Sequence, residues 1–84
     1  MESNEILEQL AGIIRDALDH QSIVVTPATS AVDVPAWDSL AHINIVVATE
    51  MEFGIKFKTA ELEQLRNVGE FVSLIGQKLR VKQA

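Results

Sequence analysis

The apolar positions of the chain fall into short periodic runs. Ile6, Leu7, Leu10, Ile13, Ile14, Ala17 and Leu18 recur at spacings of three and four, which predicts one buried face of an amphipathic helix over residues 4–20. Ser3 or Asn4 stands where a cap is needed, and Glu5 and Glu8 lie near the positive end of the helix dipole. Residues 21–37 then lose the period. Thr26, Pro27, Thr29, Ser30 and Pro35 punctuate them, and they read as a long ordered loop. Val24-Val25 has strand character, but no second strand exists to pair with it. Asp38 and Ser39 open a second helix that runs from Leu40 to Phe53 without Pro or Gly and stops at Gly54. Ile55 and Phe57 form a short apolar connector. Thr59 is placed to cap a brief helix through Leu65, with Leu62 and Leu65 facing inward. Asn67 and Glu70 have capping-box spacing, and Phe71, Leu74, Ile75 and Leu79 make the stripe of a final helix. Arg80 and Lys82 fall at that helix's negative end. The pattern predicts an all-α fold, a small four-helix bundle with three main helices, a short third helix and a long first loop.

The second helix carries more apolar residues than one buried face needs. At about 100° per residue, Leu40, Ile43, Val47 and Met51 line one side, and Ile45, Val46, Thr49 and Phe53 line another. Either one stripe is exposed as a docking surface, or the helix is central and buried all round. Periodicity alone does not choose between these, nor does it say which stripe faces out.

Composition narrows the function classes. The 84 residues make one domain, spanning 1–84, in which a deep walled catalytic pocket is not expected. Twelve acidic against seven basic side chains give a net charge of -5, which argues against nucleic acid as a partner. With no cysteine the chain has no disulfide framework, thiolate metal site or thiol of its own, and it suits a reducing cytoplasm. No apolar run reaches the ~18 residues of a membrane span, and the acidic start Met1-Glu2-Ser3-Asn4-Glu5 does not read as a signal peptide. A soluble monomer that acts on or for other proteins is expected.

Asp38, Ser39 and His42 hold residue types of a hydrolytic triad, three apart on a helix. No G-x-S-x-G elbow or Gly-rich segment offers an oxyanion hole, so no catalytic residue is assigned. Asp33, Asp38 and His42 lack EF-hand or H-x-x-x-H spacing, so no metal site is assigned either. His42 reads as a boundary residue beside the core, His20 as a solvated side chain or a favourable cation at a helix end. Trp37 either anchors the loop against the bundle or sits exposed for a partner. By themselves Asp38 and Ser39 are an ordinary helix start.

The stretch from Trp37 through Asp38-Ser39-Leu40 to Phe53-Gly54 resembles the central motif of acyl carrier proteins, and helix order, long first loop and length extend the likeness over nearly the whole chain. In that family a D-S-L triplet opens the second of four helices, and its serine bears a 4'-phosphopantetheine arm through a phosphodiester. The resemblance implies that Ser39 is the attachment site, that a phosphopantetheinyl transferase installs the arm from coenzyme A, and that the arm's thiol carries acyl groups as thioesters. The other partners it implies are acyl-loading, acyl-transfer and condensing enzymes. It also implies that Leu40, Ile43 and Val47 lean toward partners together with Asp38 and Glu50, while Ile45, Val46, Thr49 and Phe53 point into the bundle.

The sequence departs from carriers of bacterial fatty acid synthesis. Ala36-Trp37 precede the motif where those usually have Gly two residues before the Asp, and Ala41, Asn44 and Met51 occupy positions where acids are common. Glu50, Glu52, Glu61 and Glu63 remain. These departures point to a dedicated carrier of a specialised lipid, polyketide or peptide pathway. The competing class is a protein-interaction bundle with no prosthetic group.

Overall fold

The structure is a computed structural model that describes residues 3–20 and 22–83. Met1 and Glu2 of the acidic start, Gln21 at the head of the loop, and Ala84 lie outside the described residues, as do the side chains of Lys82 and Gln83. Four α-helices follow one another: α1 (Ser3–Leu18), α2 (Ser39–Phe53), α3 (Thr59–Glu63) and α4 (Val68–Gln83), with a 3-10 turn at Ala31–Asp33 inside the first loop. No strand occurs among the described residues, and Val24-Val25 is loop, with Val25 buried and Val24 exposed. α1 packs against both α2 and α4. Ile6, Leu10 and Ile14 from α1, Ile45 from α2, and Val68 and Ile75 from α4 are almost completely removed from water and form the centre of the core. Each such side chain contributes about 1.5–3 kcal/mol of burial.

Several boundaries differ from the sequence expectation, each for a local reason. α1 begins at Ser3, so Ser3 and Asn4 lie in its first turn rather than ahead of it. It stops at Leu18 instead of His20 because Asp19 turns left-handed (φ 53°). Asp19 N–H then reaches the Asp16 carbonyl at 3.2 Å and His20 N–H the Arg15 carbonyl at 3.0 Å, the two bonds of a Schellman ending. His20 is left exposed just past the helix. α3 ends at Glu63, two residues short of Leu65, and Thr59 is its first helical residue rather than its cap. The start of α3 is satisfied from within: the Glu61 carboxylate accepts the Lys58 N–H at 2.8 Å. At α4 the Asn67 side chain accepts the Glu70 N–H at 2.9 Å as expected, but the Glu70 carboxylate takes the Arg66 N–H at 3.0 Å, one residue ahead of the capping-box partner.

The long loop is ordered because its backbone completes α4. The Val68 and Gly69 N–H groups, unpaired at a helix start, donate to the carbonyls of Thr29 and Pro27, both at 2.8 Å. The approach is close: a Cβ on Gly69 would stand 3.1 Å from the Pro27 oxygen. At the loop's other end the Arg15 guanidinium donates to the Ile23 carbonyl at 2.9 Å.

α3 is tied to α4 by Lys78, whose Nζ lies 2.8 Å from Glu61 and 5.9 Å from the centre of the Phe57 ring. The hydrogen bond from Lys78, then that from the Lys58 N–H, holds the Glu61 carboxyl below its ordinary value of 4.5. A carboxylate lowered by folding stabilises fully above its unfolded value, and that contribution fades as pH falls through the lower folded value. Glu61→Gln should therefore lower the melting temperature at pH 7, and its difference from the unmodified chain should shrink as pH falls below 4.5. Paired thermal melts across that range check this; a difference independent of pH would contradict it.

Candidate functional site

α2 starts with its orphan donors only partly satisfied. Asp38 is extended (φ -89°, ψ -175°), and its carboxylate accepts the Ala41 N–H at 2.8 Å while its carbonyl accepts the His42 N–H at 2.9 Å. Ser39, the first helical residue, is exposed. Among the described residues its hydroxyl has no hydrogen-bond partner, and nothing in the chain engages the N–H groups of Ser39 and Leu40. This combination suits an attached phosphate: an accessible hydroxyl, free donors and the positive end of a fifteen-residue helix. The far end is closed by Gly54 in the left-handed conformation (φ 66°), with the Ile55 N–H reaching back to the Glu50 carbonyl at 3.1 Å.

The two stripes of α2 have opposite fates. Ile45, Val46, Thr49 and Phe53 are buried, and Thr49 satisfies its hydroxyl by donating to the Ile45 carbonyl at 2.7 Å. Leu40, Ile43, Val47 and Met51 are exposed by 68, 56, 48 and 79% of their surface. The helix is thus not buried all round, and an uninterrupted apolar stripe runs along it from beside Ser39. Glu50 is half-buried at the edge of this face, and one of its oxygens accepts the Phe57 N–H at 2.8 Å, clamping the connector to the helix. Asp38 is exposed.

The triad geometry does not form. The Asp38 carboxylate is engaged by the Ala41 N–H, and His42 Nδ1 is engaged by the Trp37 indole N–H at 3.2 Å. Trp37 is buried, the loop-anchoring alternative of the two. Its contact with His42 was absent from the sequence reading. The signal was available, because Trp37 precedes the cap residue and His42 is the fourth helical residue, the spacing at which helix-entry staples form. These two residues also border an open cleft of about 320 Å3 lined by Val32, Leu65, Arg66, Val68 and Phe71. Among the described residues no group of three or more His, Cys, Asp or Glu is gathered to hold a metal ion, and no helix is long and apolar enough to cross a membrane.

An acyl carrier protein of Thermotoga maritima is 36% identical over 75 residues, which cover 89% of this chain and 93% of that protein. This chain belongs to the acyl carrier protein family. A meromycolate extension acyl carrier protein of Mycolicibacterium aurum is 41% identical over 75 residues, covering 89% of the chain and 76% of the relative. The solution structure of a holo acyl carrier protein from Geobacter metallireducens matches with a TM-score of 0.86 and 45% identity, over 92% of this chain and 88% of that one. No protein-family model matches. The four-helix arrangement is therefore the acyl carrier protein fold, and an acyl carrier protein carries rather than catalyses.

Proposed function

We propose that Ser39 bears the family's covalent 4'-phosphopantetheine, and that the whole chain works as one carrier domain, 1–84, for acyl intermediates of a specialised lipid or secondary-metabolite pathway. The observation that supports this most is the start of α2: a capped helix whose first residue is an exposed, unbonded serine with free N–H groups beside it. The arm supplies the thiol that the cysteine-free chain lacks, as the acceptor of acyl groups. The chain's own part is to hold the Ser39 hydroxyl clear of the bundle, to direct the positive helix end at the phosphate, and to present a surface that enzymes recognise. Its partners are a phosphopantetheinyl transferase using coenzyme A and the enzymes that load, transfer or condense the acyl group. It works as a monomer in the cytoplasm.

The specialised role rests on the docking side. From Ser39 to Thr49 α2 contains no acidic residue, and the first one, Glu50, is partly engaged by the connector. Leu40, Ile43 and Val47 then dominate recognition, with Asp38 at the head of the stripe and Glu50 at its edge. The 41%-identical relative is by name a carrier of meromycolate extension, a lipid role, which supports the same direction.

Incubation with coenzyme A and a broad-specificity phosphopantetheinyl transferase, followed by intact mass, tests the proposal. One added arm is expected; an unchanged mass with several transferases favours the bare interaction bundle. The docking assignment has its own test. Val47→Glu places a carboxylate where a partner must exclude water, and should raise KM for modification about 10-fold or more while the melting temperature stays within a few degrees of the parent. Unfolding instead would show that Val47 packs inward.

A further inference from the structure

The contact between Trp37 and His42 closes over the residues the proposed function depends on. Trp37 immediately precedes the cap Asp38, and His42 lies just past the first turn, so the bond from Trp37 Nε1 to His42 Nδ1 (3.2 Å) bridges residues 38–41, with Ser39 among them. An indole N–H only donates. His42 Nδ1 must therefore accept, which places the neutral ring's proton on Nε2. The rings lie 6.2 Å apart between centroids, tilted by 31°. Trp37 is anchored on its own side: its side chain is buried, and its backbone N–H donates to the Val34 carbonyl at 3.0 Å. The His42 N–H is held by the Asp38 carbonyl at 2.9 Å. Loop, cap and first turn are thus closed into one ring of hydrogen bonds around the serine.

We propose that Trp37 and His42 form a polar staple that positions Ser39 for modification, and that it holds only while His42 Nδ1 is unprotonated. Both are positioning residues, since neither engages Ser39 itself. Protonation puts a hydrogen on Nδ1 and leaves two donors facing each other, so the staple opens and the entry angle of the chain into α2 is released. The charged surroundings of His42 are few. In the cleft it borders, formed by the 3-10 turn, the connection before α4 and α4 itself, Arg66 is the only other ionisable lining residue. Asp33 on the 3-10 turn accepts the Ser30 hydroxyl at 2.9 Å, and Asp38, the cap ahead of α2, accepts the Ala41 N–H.

The inference rests on Ser39 being the attachment site, and its test keeps the two apart. His42→Asn puts a non-titrating acceptor, Oδ1, near the place of Nδ1; His42→Leu removes the acceptor. Modification by a phosphopantetheinyl transferase with coenzyme A is timed for the parent and both variants between pH 8 and pH 5.5. At pH 8 the Leu variant should be slower by about 3- to 10-fold, the scale of one net hydrogen bond, and Asn should restore most of the rate. The ratio of parent to Asn variant cancels the transferase's own pH profile, and it should fall as pH drops. Trp37 is the sole tryptophan, so its single indole N–H resonance reports the staple directly. It should move with pH in the parent and stay still in His42→Asn. A parent indole resonance that stays still between pH 8 and pH 5.5, or a Leu variant modified at the parent rate, would overturn the inference while the mass gain still supports Ser39. A parent chain that gains no mass would overturn the reading of Ser39 and the positioning role with it.

Discussion

Ser39→Ala should abolish the mass gain completely and leave the fold intact. The separation of the two effects follows from how the helix start is built. The stabilising cap belongs to Asp38, whose carboxylate accepts the Ala41 N–H, and Ser39 contributes only an exposed hydroxyl with no partner among the described residues. Alanine is a strong helix former, and a surface change of this kind stays within about 0.5 kcal/mol. The other hydroxyls do not substitute. Ser30 is bonded to Asp33, Thr26 and Thr29 to each other, and Thr49 is buried; exposed Ser22 lies in the loop and Ser73 inside α4, while Ser3 and Thr59 open helices that expose no large apolar side chain. Intact mass and a thermal melt of the same sample check both halves. A variant that still takes up an arm would place the site elsewhere, and one that unfolds would make Ser39 a structural residue.

Ile45→Ala should cost about 2–5 kcal/mol, against a total stability of about 5–15 kcal/mol for a natural domain. For a chain of this length that is a fall of roughly 10–30 °C in melting temperature. Ile45 is fully buried in the core, and the rigid core leaves a cavity when its side chain is cut back. Ile43 lies two residues earlier on the same helix and is 56% exposed. Ile43→Ala should therefore change stability by about 0.5 kcal/mol or less, despite being the same substitution chemically. Thermal denaturation of the pair decides the orientation of α2. Equal losses would mean that both stripes are packed and that no free docking surface exists.

What was legible in the sequence follows the range of the interactions involved. Asp38, Gly54 and Asn67 act on N–H and C=O groups within a few residues, so residue type and spacing were enough to place both ends of α2 and the start of α4. The end of α1 was misplaced because Asp19 adopts a left-handed conformation usually left to glycine, and no glycine marked it. The seam between the loop and α4 was invisible for a different reason. It joins the backbone carbonyls of Thr29 and Pro27 to backbone N–H groups about forty positions away, and every residue type carries a carbonyl. The orientation of α2 needed tertiary packing, since both stripes are apolar and the helical period is satisfied by either. The D-S-L motif singles out Ser39 as the attachment site proposed above. The staple behind it was overlooked because Trp37 and His42 were weighed separately, although their spacing alone pairs them at a helix entry.

The most direct measurement of the central claim is the position of the arm on the modified chain. Protein treated with coenzyme A and transferase is digested, and the modified peptide is fragmented to locate the added mass. The account predicts a single 4'-phosphopantetheine on Ser39, in the peptide that carries Trp37 and Asp38. An arm on Ser3, Ser22, Ser30 or Ser73, or none at all, would contradict it.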